Sequence, residues 1–235
     1  MSGYDLKSPE EVKEYLKNLH IEYKFGCLSE KNPETCHLLG DYEESISKDY
    51  AKSAKIYQEN CDERNFGHSC RKFGGYALIG KGLDVESPTE SYKYLRKGCD
   101  VGDMLSCAHA GIVGTSSFKI GEKEAPIDFP TGLDLLQKTC YEHKLEKACY
   151  YLSGLYLSGV PDHVEKNMKE AYKASLISCE LGNAYACANL SQMHARGDGV
   201  QKNSELAEAF KNRALSIQRA LKEAKHIPFQ QGMGS

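Results

Sequence analysis

Ten cysteines arranged as five recurring couples constrain this chain more than any other feature. They stand at Cys27 and Cys36, Cys61 and Cys70, Cys99 and Cys107, Cys140 and Cys149, and Cys179 and Cys187. Seven or eight residues separate partners, and no cysteine is left over. Successive first members lie 34, 38, 41 and 39 residues apart. A period of this size belongs to stacked helix pairs, each of which needs its neighbour to cover its apolar face.

The text around each couple repeats too. An apolar and a small residue follow the second cysteine, with an aromatic residue or glycine beyond. Examples are Leu39-Gly40, Phe73-Gly74 with Gly80, Leu152-Ser153 with Tyr156 and Gly159, and Leu190-Ser191 with Gly197. Apolar spacings of three and four lead into the first cysteine, as in Tyr172, Leu176 and Cys179. Turn residues sit between the partners: Asn32-Pro33, Val101-Gly102-Asp103 and Leu181-Gly182-Asn183. Ser8-Pro9-Glu10-Glu11 and Ser87-Pro88-Thr89-Glu90 each combine a capping serine, a first-turn proline and a glutamate three residues after the cap. Asn167 with Glu170 repeats the arrangement. The period is 3.6 throughout, and no strand is expected.

Each repeat therefore reads as helix, glycine-rich loop, helix, with a cysteine couple across the turn into the next repeat. Helices packed 8–10 Å apart bring such side chains within bonding reach. A bridge closing so small a loop stabilises by about 2.5 kcal/mol in the chain-entropy account. Free buried cysteines, acting as small hydrophobes, are the alternative. Five complete couples favour bridges.

Charged residues at 27% and hydrophobic residues at 40% of 235 suit a chain that buries a core. A net charge of −3 leaves no basic footprint, so nucleic acid is not the expected partner. No apolar run approaches the roughly 18 residues of a membrane helix. Met1 to Glu14 shows no secretory signal, and Asp5, Glu10, Glu11 and Glu14 are foreign to a mitochondrial presequence. Asn203 to Lys225 carries Leu206, Phe210, Ala214, Ile217 and Leu221 as the stripe of a closing helix. One solenoid domain is expected over 1–225, with a flexible tail over 226–235.

The segment from Leu190 to Gly199-Val200 (LSQMHARGDGV), followed by Ala207, Phe210 and Ala214, resembles the Sel-one-like repeats, relatives of the tetratricopeptide repeats. Phe73-Gly74 through Gly80-Lys81-Gly82 matches again, and the likeness runs from about residue 8 to 215. It implies an all-α, right-handed superhelical solenoid of about five repeats with a concave binding face. The cysteine-paired form, through Ser178 to Asn189 (SCELGNAYACAN), is similar to a mitochondrial intermembrane-space group serving respiratory complex IV. That resemblance implies a non-enzymatic, monomeric scaffold that binds respiratory-chain subunits or assembly factors. It also implies retention by oxidation of paired cysteines, although seven or eight intervening residues depart from the usual nine. Bacterial cysteine-rich members are secreted, are linked to penicillin binding, and would carry a signal peptide. An enzyme-class alternative is a thiol–disulfide or haem-assisted factor acting on oxidase subunits.

Other chemistries find little support. Ser45-Ile46-Ser47-Lys48 matches Ser-x-x-Lys, yet the SDN and KTG elements of a β-lactamase are missing. Cys-x-x-Cys, wanted by thioredoxin-like exchange, zinc and c-type haem alike, does not occur. His37 and His109 lie beside Cys36 and Cys107 in sequence but are expected on other faces, so no metal is expected. Met104, Met193 and His194 could ligate haem without covalent attachment. No spacing singles them out, and no cofactor is expected. The tyrosines, among them Tyr92, Tyr94, Tyr150, Tyr151 and Tyr156, are expected to pack between helices or to line a binding face.

Overall fold

The computed structural model describes residues 4, 5, 7–120 and 123–225. The described chain runs through α1 (Pro9–Leu28), α2 (Pro33–Tyr42), α3 (Tyr50–Arg64), α4 (Gly67–Ile79), α5 (Pro88–Asp100) and α6 (Met104–Thr115). After a short hairpin it continues through α7 (Phe129–Tyr141), α8 (Glu146–Ser158), α9 (Met168–Glu180), α10 (Ala184–Arg196) and α11 (Ser204–Lys225). The fold is the expected array of α/α repeats. Its contacts gather into two compact units, Met1–Val113 with Ser117–Ile127, and Gly114–Ser116 with Asp128–Ser235. The expected tail, 226–235, lies outside the described residues.

The capping residues read from sequence start these helices. Ser8 accepts from the Glu11 amide, Ser87 from that of Glu90, and Asn167 from that of Glu170. Asn32, Asp49, Asp128 and Asn183 do the same for α2, α3, α7 and α10. Each satisfies one amide that the first helical turn would leave without a partner.

The five cysteine couples span the tight turns α1–α2, α3–α4, α5–α6, α7–α8 and α9–α10, and the turn geometry explains their two lengths. Where eight residues intervene, the fourth residue after the first cysteine is left-handed: Lys31 (φ 57°), Asn65 (φ 52°) and Lys144 (φ 53°). Where seven intervene, the third is Gly102 (φ 95°) or Gly182 (φ 97°). The longer turn uses the ordinary left-handed well, which a side chain enters at about 1–2 kcal/mol. The shorter one needs a φ that glycine adopts freely.

Two features differ from the sequence reading. No strand was expected, yet β1 (Ser117–Ile120) and β2 (Lys123–Pro126) pair antiparallel, with Ser117 opposite Pro126 and Ile120 opposite Lys123. Strands of four residues are too short for period-two alternation to show, and Gly121 and Pro126 read as loop signals. The stripe of α11 also differs: Leu206 and Leu221 are exposed. Its inward face is Ala207, Phe210, Ala214 and Ile217, the last three packing with Cys187 and Leu190 of α10. With 22 residues against 13 in α10, α11 outruns its partner at the ends of the stripe.

Candidate functional site

In each couple the sulfurs stand at bonding distance, with Cα atoms 4.5–4.8 Å apart. That separation lies at the close end of the range a bridge accepts. The sulfurs belong to the cores. Cys61 and Cys70 pack with Tyr57, Phe73, Tyr76 and Tyr94, while Cys27 and Cys36 pack with Leu39. Nine of the ten cysteines are buried, and Cys99 alone is partly exposed.

The first unit holds a network that the sequence reading missed. After α2 a five-residue π-turn, Glu43–Ser47, directs Glu43 and Glu44 inward. Glu43 is 2% exposed and takes Lys52 Nζ at 2.6 Å and His20 Nε2 at 3.0 Å on one oxygen. Glu44 bridges Lys72 at 2.6 Å and Lys81 at 2.5 Å. Lys72 also reaches Asp41 at 3.1 Å, and Asp41 accepts from the Tyr57 hydroxyl at 2.5 Å. Burial pushes the Glu44 carboxyl upward, but hydrogen bonds from Lys72 and Lys81 outweigh it and hold the group at about 2. Burial and the bond to Asp41 push the Tyr57 phenol well up. Every charge here has an opposite charge beside it, so the network ties helices and leaves no poised acid or base. The adjacent acids in Asp41-Tyr42-Glu43-Glu44 were its only sequence signal.

The residues weighed for other chemistry are dispersed. Ser45 lies in the π-turn at the end of α2. His37 bonds Ser69 Oγ at 3.0 Å, packs among the Tyr57, Phe66 and His68 rings, and is lowered in pKa by burial. His109 is half-buried on α6. No group of three potential ligands among the described residues is arranged to hold a metal. Met104 is half-buried on α6, whereas Met193 and His194 are buried on α10. His194 bonds the Tyr172 hydroxyl at 3.2 Å and stacks on Phe210. Being consecutive on a helix, Met193 and His194 point about 100° apart.

The tyrosines divide between the two expected roles. Tyr94 is buried against Phe73 and donates to Asp62, while Tyr156 is buried and accepts from Gln137. Tyr151 is exposed, as is Tyr185, whose ring lies 6.1 Å from that of Tyr150. Tyr185 stands beside a surface groove of the second unit lined by Leu181, Asn183, Leu221 and Lys222, with Glu146 bonded to Asn183. Exposed aromatic and aliphatic side chains next to a polar rim suit a protein partner. Tyr185 falls inside the stretch 178–189 that carried the sequence resemblance.

Four segments, 33–62, 74–103, 146–183 and 184–212, match the Sel1 repeat. Each covers all or part of two successive helices and the loop between them, so the cysteine couples fall at the junctions. The unmatched stretch between them contains the β1–β2 hairpin. The fold resembles the crystal structure of a Sel1 repeat protein from Oxalobacter formigenes, with a TM-score of 0.68 at 17% identity over 86% of this chain and 84% of the other. A Drosophila melanogaster protein named cytochrome c oxidase assembly factor 7 homolog is 40% identical, covering 99% of this chain and 98% of its own. Cytochrome c oxidase assembly factor 7 of Xenopus tropicalis is 38% identical over 93% and 94%. The repeats and these near-full-length matches place the chain in the Sel1 repeat proteins, as a member of the cytochrome c oxidase assembly factor 7 family.

Proposed function

We propose that the protein assists assembly of cytochrome c oxidase from the mitochondrial intermembrane space, as a disulfide-stapled scaffold that binds oxidase subunits or other assembly factors. The observation that carries this reading is the 40% identity over nearly the whole length of both chains to a protein named for that assembly. Ten cysteines placed in five bonding pairs support an oxidising compartment, since reducing compartments keep such thiols free. No described helix is long and apolar enough to cross a membrane. The scaffold binds as a monomer, and its role is recognition, which repeat surfaces provide by presenting many side chains on neighbouring helices.

Replacing the Drosophila relative with this chain in fly cells tests the role. Assembled complex IV, read on native gels, is expected to return to the parental level. Recovery of the protein in mitochondria with no rescue of complex IV would overturn the role. Protease access after selective rupture of the outer membrane tests the compartment. Resistance persisting after rupture would place the chain elsewhere.

A further inference from the structure

The first cysteine of every couple sits on α1, α3, α5, α7 or α9, so the faces of these helices compare in one register. The positions six and two before that cysteine and one after it form a single stripe along the helix. In α3 they are Lys55, Glu59 and Asp62, and in α5 they are Lys93, Lys97 and Asp100. Ion pairs run over this surface, Lys55 with Glu59 at 3.8 Å and Asp62 with Lys97 at 2.9 Å. In α7 and α9 the stripe again carries charge, at Asp134, Lys138, Lys173 and Glu180. In α1 the same three positions are Ile21, Phe25 and Leu28, exposed by 58%, 59% and 59%. A register that is charged and solvated in the sister helices is wholly apolar here, and an exposed apolar group rimmed by polar residues marks a binding surface.

The surroundings say what fits. The Tyr4 ring lies 5.3 Å from that of Tyr15, and its hydroxyl accepts from Asn18 Nδ2 at 2.8 Å. The chain ahead of α1 therefore covers the turn before the stripe, while Ile21, Phe25 and Leu28 stay open. At 100° per residue, Lys17 and Lys24 stand along one edge of the stripe, Glu22 along the other and Glu14 at its head. Both lysines are exposed, and neither has an ion-pair partner among the described residues. An anionic lipid surface would meet Glu14 and Glu22 together with the lysines. A helix, by contrast, sets acid over one edge and base over the other. Its groove also accepts a ridge of side chains at i, i+4 and i+7.

We propose that the stripe Ile21, Phe25 and Leu28 is a docking face for an amphipathic helix of a partner protein. The apolar seam of that helix covers the three side chains, its acidic edge lies over Lys17 and Lys24, and its basic edge faces Glu22. The face deepens the scaffold reading by naming the kind of partner, and rests on that reading only for the partner's place in oxidase assembly. The contact itself is measured without it.

The test uses the full oxidised chain and two labelled synthetic peptides of about 18 residues, long enough to form helix. Both carry a leucine seam at helical spacing. One has glutamate along one edge and lysine along the other, and the second has lysine along both. Fluorescence anisotropy is expected to show the two-signed peptide binding at least tenfold tighter. Phe25→Ser is expected to weaken it at least tenfold, and Lys17→Glu with Lys24→Glu to invert the preference between the peptides. Circular dichroism melting checks that each variant keeps its fold, with Leu28→Ser in reserve for Phe25→Ser. No binding of either peptide, equal binding of both, or indifference to Phe25→Ser would overturn the proposal. So would a dimer in sedimentation that Phe25→Ser abolishes, which gives the stripe to a second copy. Flotation with phosphatidylcholine–phosphatidylglycerol vesicles, lost in Phe25→Ser, would give it to a membrane and overturn the proposal equally. Failed rescue of complex IV alongside intact peptide binding would remove the oxidase role and leave this face standing.

Discussion

The two units share repeat, caps and staples, yet between the staples they are held by different forces. In the first, charges cross between elements: Glu43 to Lys52, Glu44 to Lys72 and Lys81, Asp62 to Lys97, Asp103 to Arg71. In the second, the ion pairs among the described residues lie within single exposed turns, Glu170 to Lys173 and Glu208 to Lys211. Its helices meet instead through buried Leu136, Leu152, Leu190 and the alanines Ala171, Ala174 and Ala186. The lesson is that a repeat prescribes the turn and the staple, and leaves the helix faces free to use either charge or hydrocarbon. Buried charge has a desolvation cost, and what it returns is a specified register, since a misplaced helix would strand an ion.

The largest effect that probes this contrast is a cavity in the second unit. Leu152 has no exposed surface, and Leu152→Ala is expected to cost about 2–5 kcal/mol through lost transfer energy and an unfilled void. Amide exchange of peptides from α7 to α11 measures it. A loss below about 1 kcal/mol would show that aliphatic packing does not hold that unit.

The counterpart in the first unit is Glu44→Gln. The amide cannot balance both Lys72 and Lys81, which are about one-third exposed. Water therefore relieves part of the loss, and about 1–3 kcal/mol is expected. Tyr57→Phe, which leaves Asp41 one donor short, is expected to cost about 1 kcal/mol. Urea titration monitored by exchange of α2–α4 peptides ranks the two. A larger loss for Tyr57→Phe would mean the phenol, and not the lysine pair, anchors the network.

Acid should separate the units by sign as well as size. Glu43, Glu44, Asp62 and Asp103 are all lowered: burial raises each, and hydrogen bonds from neighbouring donors more than reverse it. An unfolded chain binds protons at these groups first, so their contribution is complete above about pH 4.5 and is lost toward the folded values, about 2 for Glu44. His37, lowered by burial, acts in the same direction, beginning near its unfolded value of about 6.5. In the second unit Glu170 is lowered, chiefly by its bond from Lys173, on the surface. Between pH 5 and 3, exchange protection is expected to fall in α2–α5 well before α8–α11. Parallel loss in both would break the comparison.

How much was legible follows from what each feature needs. Helix starts were readable because a cap and its partner lie three residues apart, as with Ser87 and Glu90. The cysteine couples were readable because the turn between them is local. The two turn lengths were visible as seven or eight residues, but their cause was not. That Lys31, Asn65 and Lys144 take the role of Gly102 and Gly182 follows from backbone geometry, not from residue type. The Glu44 network was hidden for a different reason. Its members come from a π-turn, α4 and the loop after it, 28 and 37 residues apart. No spacing rule joins such positions. Cys99 looks like its four counterparts in sequence, and only the packing around it sets it apart.

Salt provides the smallest and most selective test. At about 1 M sodium chloride the screening length falls to roughly 3 Å, so ion pairs that touch water weaken while buried hydrocarbon does not. Lys52, Lys72, Lys81 and Lys97 are each between 31% and 44% exposed, within reach of counterions. Each such pair contributes about 0.2–1 kcal/mol, and screening removes only a fraction of it. Protection of α3–α5 peptides is therefore expected to fall by a few tenths of a kcal/mol, with α8–α11 unchanged or slightly raised. Chloride is the appropriate anion, because sulfate would strengthen apolar burial everywhere and mask the difference. If chloride left the first unit untouched, its charges would be positioning helices without stabilising them, and the contrast between the units would be one of specificity alone.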